Sequence, residues 1–213
     1  MKVGILGSGD VAKSLAVGFL AHGHSVTLGT RDPSKLTEWQ KAKAPKAATA
    51  SFRETAAWGE AVVLAVKGSI ATQVLEAVGA PALNGKVVID ATNPIADAAP
   101  VNGIIRFFTG PNESLMERLQ AQLPQARFVK AFSSVGNSLM VDPKLSSRPS
   151  MFICGNDESA KKTVTQLLEQ FGWDAEDVGK AEGARAIEPL CMLWCVPGFL
   201  RNDWAHAFKV VRP

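Results

Sequence analysis

The chain has 213 residues, 46% of them hydrophobic and 20% charged, with a formal net charge of +3. That supports one well-buried core and lacks the concentrated basic face that would make nucleic acid a partner. Three cysteines, an odd number, argue against a disulfide scaffold and for a reducing compartment, so a cytoplasmic protein is expected.

Residues 2–6 form a short apolar run that ends in glycine, the pattern of a buried first strand. The same opening is too short and too glycine-broken for a signal peptide. Val11, Leu15 and Phe19 recur every four residues as a helix stripe, and His22-Gly23 closes it, because glycine accepts the left-handed cap. A second strand is predicted over 25–28. Asp32-Pro33 then opens the next helix, with proline in a tolerated first-turn position. Further strands are expected at 61–66, 86–90 and 127–130, helices at 51–58, 69–78 and 114–123, and a long loop over 91–109. A strand at 151–154 leads to a helix capped at Asn156-Asp157, with the stripe Val164, Leu167, Leu168 and Phe171, stopped by Gly172. Residues 173–178 return as a strand, and two helices near 181–193 and 199–210 finish the chain. The longest apolar stretch, 190–200, contains Pro197 and Gly198 and is shorter than the ~20 residues of a membrane span, so no membrane partner is expected.

Alternating strands and helices predict an α/β fold, a doubly wound and mostly parallel sheet covered on both faces. The expected division is a nucleotide-binding domain over 1–180 and a small helical C-terminal extension over 181–213 that completes a substrate cleft.

The informative motif is Gly7-Ser8-Gly9-Asp10-Val11-Ala12, a G-x-G-x-x-A run. Alone the pattern is weak, but here it follows a strand, opens a helix and heads an alternating chain, which is the context of a Rossmann dinucleotide site. Gly7 permits the tight turn, Gly9 lets backbone approach a pyrophosphate, and Ala12 allows close helix–strand packing. An NAD site would place an acid at the end of the second strand. Here that position is Thr30, followed by Arg31, whose guanidinium suits a 2′-phosphate, and Lys35 adds charge one turn later. NADP(H) is therefore expected. The competing choice, Asp32 as ribose ligand, needs a two-residue slip, and helix capping beside Pro33 accounts for that acid. Ala65, Val66 and Lys67 at the end of the 61–66 strand, and Thr92, Asn93 and Pro94 after the 86–90 strand, stand where α/β folds place ligands.

The glycine loop, Gly29-Thr30-Arg31, the segment Lys130-Ala131-Phe132-Ser133-Ser134-Val135-Gly136-Asn137 and Ala184-Arg185-Ala186-Ile187-Glu188-Pro189-Leu190 together resemble the NADPH:coenzyme F420 oxidoreductases across nearly the whole chain. The resemblance implies that pyrophosphate rests on Ser8, Gly9, Asp10 and Val11, and the 2′-phosphate on Thr30, Arg31 and Lys35. It also implies that the loop from Val66 to Ser69 borders the nicotinamide and a deazaflavin. At that loop many members carry an Ile-Pro-Trp-like segment where this chain has Val66-Lys67-Gly68-Ser69, so an aromatic wall is replaced by a charge and a glycine.

Hydride transfer between two rings is the cofactors' chemistry, so no acid–base constellation is needed and no catalytic residue is assigned. The expected activity is an NADPH-dependent reductase with coenzyme F420 or a flavin as co-substrate. Its cleft would be lined by Lys67, Asn93, Phe132, Ser134, Gly136 and Met192. Lys67 or Lys130 would either face a reduced acceptor ring or lie in solvent as ordinary strand-end lysines. His22 and His24 flank a turn glycine and read as surface residues, and His206 reads as packing in the last helix. Cys191 and Cys195 share a helix face with no further ligand at matching spacing, so no metal is expected. Met192, Leu193, Trp194, Phe199 and Trp204 are core, cleft wall or dimer face, and a homodimer is expected. Two rival functions remain open: a β-hydroxyacid or imine reductase, though the G-x-x-x-K-x-x-N run of the hydroxyacid enzymes is missing here, and a non-catalytic NADPH-binding module.

Overall fold

The computed structural model describes residues 1–213. Its strands are β1 (Lys2–Leu6), β2 (Ser25–Gly29), β3 (Ala48–Ala50), β4 (Ala61–Leu64), β5 (Val87–Asp90), β6 (Arg127–Lys130), β7 (Ser150–Gly155) and β8 (Asp174–Asp177). They form one sheet in the order β3-β2-β1-β4-β5-β6-β7-β8. All neighbours pair parallel except β6 and β7, which are antiparallel. The order reverses between β1 and β4, and such a switch point opens a crevice at the carboxyl ends of the strands. This is the Rossmann arrangement extended by two strands.

Helices α1 (Asp10–Ala21), α2 (Thr37–Lys43), α3 (Phe52–Trp58), α4 (Ala71–Val78), α5 (Leu115–Gln122), α6 (Glu158–Gln170) and α7 (Ala184–Arg201) cover the two faces. Period-two alternation sorts the strand residues. Val3, Ile5, Val63 and Ile89 join Leu15, Phe19, Leu168 and Phe171 on one side. Leu6, Val62, Leu64 and Val88 join Leu75, Leu119 and Ile187 on the other. Local chemistry sets the helix starts. Ser51 and Glu54 form a reciprocal capping box for α3, and Asp157 accepts the Ala160 N–H at 2.7 Å to start α6.

Two features depart from the sequence expectation, β3 and the C-terminal segment. The three-residue β3, half-exposed and rich in alanine, lacks a periodic signal, yet its Ala50 carbonyl takes the Thr30 N–H at 3.1 Å. The 91–109 segment is a loop, as expected, and folds onto itself through the bridges Ile95–Phe107 and Val101–Ile104. The two expected terminal helices are one: α7 runs through Pro189 and Pro197 and ends at Asn202 in a left-handed cap (φ 55°). Residues 202–213 form neither helix nor strand, because tertiary bonds replace helical ones. Trp194 Nε1 donates to His206 O at 2.7 Å, and Ser150 N donates to Phe208 O at 2.8 Å. His206 thus packs against Trp194 from a strap rather than from a helix, its ring stacked at 5.1 Å. No helix is long and apolar enough to cross a membrane.

Candidate functional site

One end of the crevice is built from β1 and α1. Gly7 sits at φ 143°, and a Cβ there would lie 2.1 Å from the Ala65 carbonyl oxygen, so only glycine lets the chain turn against the loop after β4. Gly9, the N-cap of α1, has no side-chain cap bond and nothing within 4 Å of where a Cβ would stand. The first helical bond beyond it runs from Lys13 N to Gly9 O at 3.0 Å. The N–H groups of the first turn are therefore free and carry the positive end of the helix dipole, above an open space that a Cβ would intrude on. That donor set fits a diphosphate. Asp10 and Gly9 are exposed, Ser8 and Val11 half-buried.

The adjoining end is shaped by Thr30. It is 6% exposed, and its Oγ1 accepts the Asp32 N–H at 3.1 Å. Its hydroxyl therefore braces the turn that presents Arg31. Asp32 is committed as well: its Oδ1 accepts from the Ser34 N–H at 3.1 Å and from the Ser34 hydroxyl at 2.5 Å. Those bonds hold the Asp32 carboxyl below the usual carboxylate range. The acid thus caps the Pro33 turn, as the sequence suggested, while Arg31 and Lys35 are exposed beside it.

At the far end, two loops meet. A Cβ on Gly68 would fall 2.0 Å from Asn93 O, so the loop after β4 lies directly on the loop after β5. Ala65 is buried, Val66 half-buried, and Lys67 reaches outward, its side chain 79% exposed and 3.8 Å from Asp97. Pro94 and Thr92 are buried. Thr92 bonds the Asp90 Oδ1 through its N–H (2.9 Å) and hydroxyl (2.6 Å). Asn93 Nδ2 donates to Ser133 O at 2.9 Å.

The expected cleft lining is only partly assembled. The ring of Phe132 is 1% exposed and packs on Phe171, so it belongs to the core, and the residue holds a left-handed φ of 62°. Ser134 is buried, and Gly136 is covered by Trp194, whose ring would stand 2.4 Å from a Cβ there. Met192 lies elsewhere, lining a hollow of about 300 Å³ with Phe107, Pro111 and Pro189. Lys67 and Asn93 lie on the adjoining loops after β4 and β5, while Phe132, Ser134 and Gly136 follow β6 but turn inward or lie under Trp194. A larger hollow, about 550 Å³, runs along α1 from Asp10 in its first turn past Ser14, between Trp39 and Asn137.

Neither role expected for Lys130 holds. It is fully buried, with Nζ 2.7 Å from Asp90 Oδ2, 2.9 Å from Glu188 Oε1 and 2.9 Å from Thr92 O. Glu188, which the sequence did not single out, also accepts the Leu115 and Met116 N–H groups at 2.9 and 3.1 Å and so caps α5. Burial pulls the Lys130 pKa down, but Asp90 and Glu188 outweigh it and hold it above the ordinary lysine range. A signal was present: Asp90 and Lys130 are charges ending two apolar runs, and they are register partners across β5 and β6.

Residues 2–94 match the family described as NADP oxidoreductase, coenzyme F420-dependent. Over 204 residues the chain is 30% identical to the F420-dependent NADP reductase of Methanocaldococcus jannaschii, covering 91% of this chain and 90% of that protein. It is also 32% identical to the metalloreductase STEAP3 of Rattus norvegicus, over 93% of this chain but 39% of that relative's length. A solved structure from Arthrobacter sp. FB24, whose description proposes an F420-dependent NADP reductase, superposes with a TM-score of 0.93 at 32% identity over 100% of both chains. The imine reductase of Streptomyces aurantiacus, at 19% identity and a TM-score of 0.68, covers 94% of this chain and 63% of that one, and shares the fold.

Proposed function

The chain belongs to the family of coenzyme F420-dependent NADP oxidoreductases, and from that membership and the crevice geometry we propose an NADPH-dependent reductase whose acceptor is the deazaflavin coenzyme F420. The observation that carries the reading is the uncapped N-terminus of α1 behind Gly9, set beside an Arg31 whose neighbouring acid is turned into its own cap. In this reading Ser8, Gly9, Asp10 and Val11 bind the diphosphate through backbone N–H groups, with Gly7 making room. Arg31 and Lys35 receive the 2′-phosphate, on a turn that Thr30 braces. Ala65, Val66, Lys67, Thr92, Asn93 and Pro94 form the floor for the nicotinamide. Bound there, the nicotinamide supplies the hydride. The chain's part is to hold two rings face to face and to keep water from between them. Lys67 extends from the floor and offers positive charge to a reduced, anionic acceptor ring.

Leu193, Phe199 and Leu200 of α7 are 58%, 45% and 54% exposed, beside Val101 and Ile104 at 54% and 44%. This apolar patch suits a second copy of the chain in a symmetric homodimer, which sedimentation velocity tests. The three free cysteines fit a cytoplasmic setting.

The acceptor is tested with purified protein and NADPH under anaerobic conditions, comparing coenzyme F420, free flavin mononucleotide, a quinone and a ferric chelate. Coenzyme F420 is expected to be reduced fastest. NADPH that binds but reduces none of the four would reject the enzyme reading, and turnover of a cyclic imine instead would reassign the substrate.

A further inference from the structure

Two buried polar atoms at the nicotinamide end have no partner within the chain: Asn93 Oδ1 and Ser133 Oγ. Buried polar groups are almost always paired, and an unpaired one is expensive to keep. These two are neighbours. The Asn93 amide bonds the carbonyl of Ser133 itself, at 2.9 Å. Because a carbonyl oxygen only accepts, that bond also fixes which way the amide points: Nδ2 is spent on Ser133 O, and Oδ1 is left as an acceptor. Ser133, 2% exposed, adds a hydroxyl that turns about a single bond and can donate. One free acceptor beside one free donor is complementary to a primary carboxamide, whose –NH₂ donates and whose C=O accepts.

We infer that Asn93 and Ser133 together read the carboxamide of the nicotinamide ring and so set which face of the ring turns toward the acceptor. The inference rests on the proposed NADP(H) site and adds two specific contacts to it. The fold holds the pair in place from three sides. Asn93 O abuts Gly68, where any side chain would collide. Thr92, one residue before, is tied to Asp90 and to the buried Lys130 ammonium. Asn93 as a whole is half-buried, so the floor it belongs to keeps an open side. Both are positioning residues in this reading, since neither exchanges a proton or an electron with the ring.

Calorimetric dissociation constants provide the test, with NADP⁺, its 3-acetylpyridine analogue (methyl in place of –NH₂) and 2′-phospho-ADP-ribose, which lacks the ring. Asn93→Ala is expected to weaken NADP⁺ about tenfold, one hydrogen bond's worth. The same variant should bind 2′-phospho-ADP-ribose as the parent does and show no added penalty with the acetylpyridine analogue. Ser133→Ala is the second arm: its Oγ has no partner in the chain, so its removal breaks no internal bond and leaves folding intact. It too should weaken NADP⁺ while sparing 2′-phospho-ADP-ribose. Equal losses for all three ligands, or no loss for NADP⁺ in either variant, would overturn the inference. If the parent protein binds none of the three, the NADP(H) site itself fails. That outcome is distinct from tight binding of 2′-phospho-ADP-ribose with an indifferent Asn93.

Discussion

Glu188 Oε1 lies 2.9 Å from Lys130 Nζ, joining the C-terminal helix α7 to the end of β6 with both side chains buried. The same ammonium holds Asp90 at 2.7 Å, so one positive charge serves two carboxylates, and the α5 N-terminus helps balance Glu188. Removing one member of such a group leaves buried charge uncompensated, at a cost of about 3–5 kcal/mol. Lys130→Met is expected to lower stability by that order in urea unfolding. The Lys130 pKa is raised on folding, so its contribution is fully present below the ordinary lysine value near 10.4 and fades as pH rises through the higher folded value. Stability measured up the alkaline limb should fall later in the parent than the ordinary lysine value would place it.

Arg31→Ala should weaken NADPH binding about tenfold or more while leaving NADH nearly unchanged, since a charge-assisted bond to a 2′-phosphate is absent with NADH. Titration of intrinsic tryptophan fluorescence with each dinucleotide measures the ratio. Equal losses would reassign the turn after β2.

The two fingerprint glycines should fail in different ways. At Gly9 an added Cβ meets nothing in the protein, so Gly9→Ala should fold with parental stability yet lose dinucleotide affinity, because the methyl stands where the diphosphate approaches. Gly7→Ala forces a side chain onto φ 143° and into the Ala65 carbonyl, and is expected to cost at least about 1–3 kcal/mol of stability. Thermal unfolding paired with calorimetry separates the two.

Arg185 holds Glu117 at 2.6 Å and ties α7 to α5, and this bond is the largest cause lowering the Glu117 pKa. A depressed carboxylate contributes stability above the ordinary glutamate value near 4.3, and that contribution is lost as pH falls through the lower folded value. Arg185 is 40% exposed, so solvent screens the pair and its contribution is small. Arg185→Met should flatten the acid limb of the stability profile slightly and leave neutral-pH nucleotide binding unchanged.

Much of the sheet was readable from local pattern. Apolar runs ending in glycine or a turn marked β1, β2 and β6, and stripes with caps marked α1 and α6, because their sequences repeat at the periods of the structures they form. The turn from β1 into α1 was readable too, since Gly7 at φ 143° and Gly9 as the α1 N-cap answer to the local backbone. The surroundings of the residues after β5 and β6 were not. Phe132, read as a cleft residue, turns into the core, and Lys130, read as a strand-end lysine, is sealed between Asp90 and Glu188.

From sequence alone came the alternating α/β order, the glycine cradle, the neutral Thr30 followed by Arg31, and the role of Asp32 as a cap. Each depends on contacts between residues close along the chain. Tertiary structure alone decided the antiparallel β7, the unbroken α7 with its C-terminal strap, the buried Asp90–Lys130–Glu188 group and the pairing of Asn93 with Ser133. These depend on partners from 12 residues apart (Trp194 and His206) to 58 (Lys130 and Glu188), brought together by the tertiary fold. A side chain's environment there is set by what the fold places opposite it, which no local period encodes.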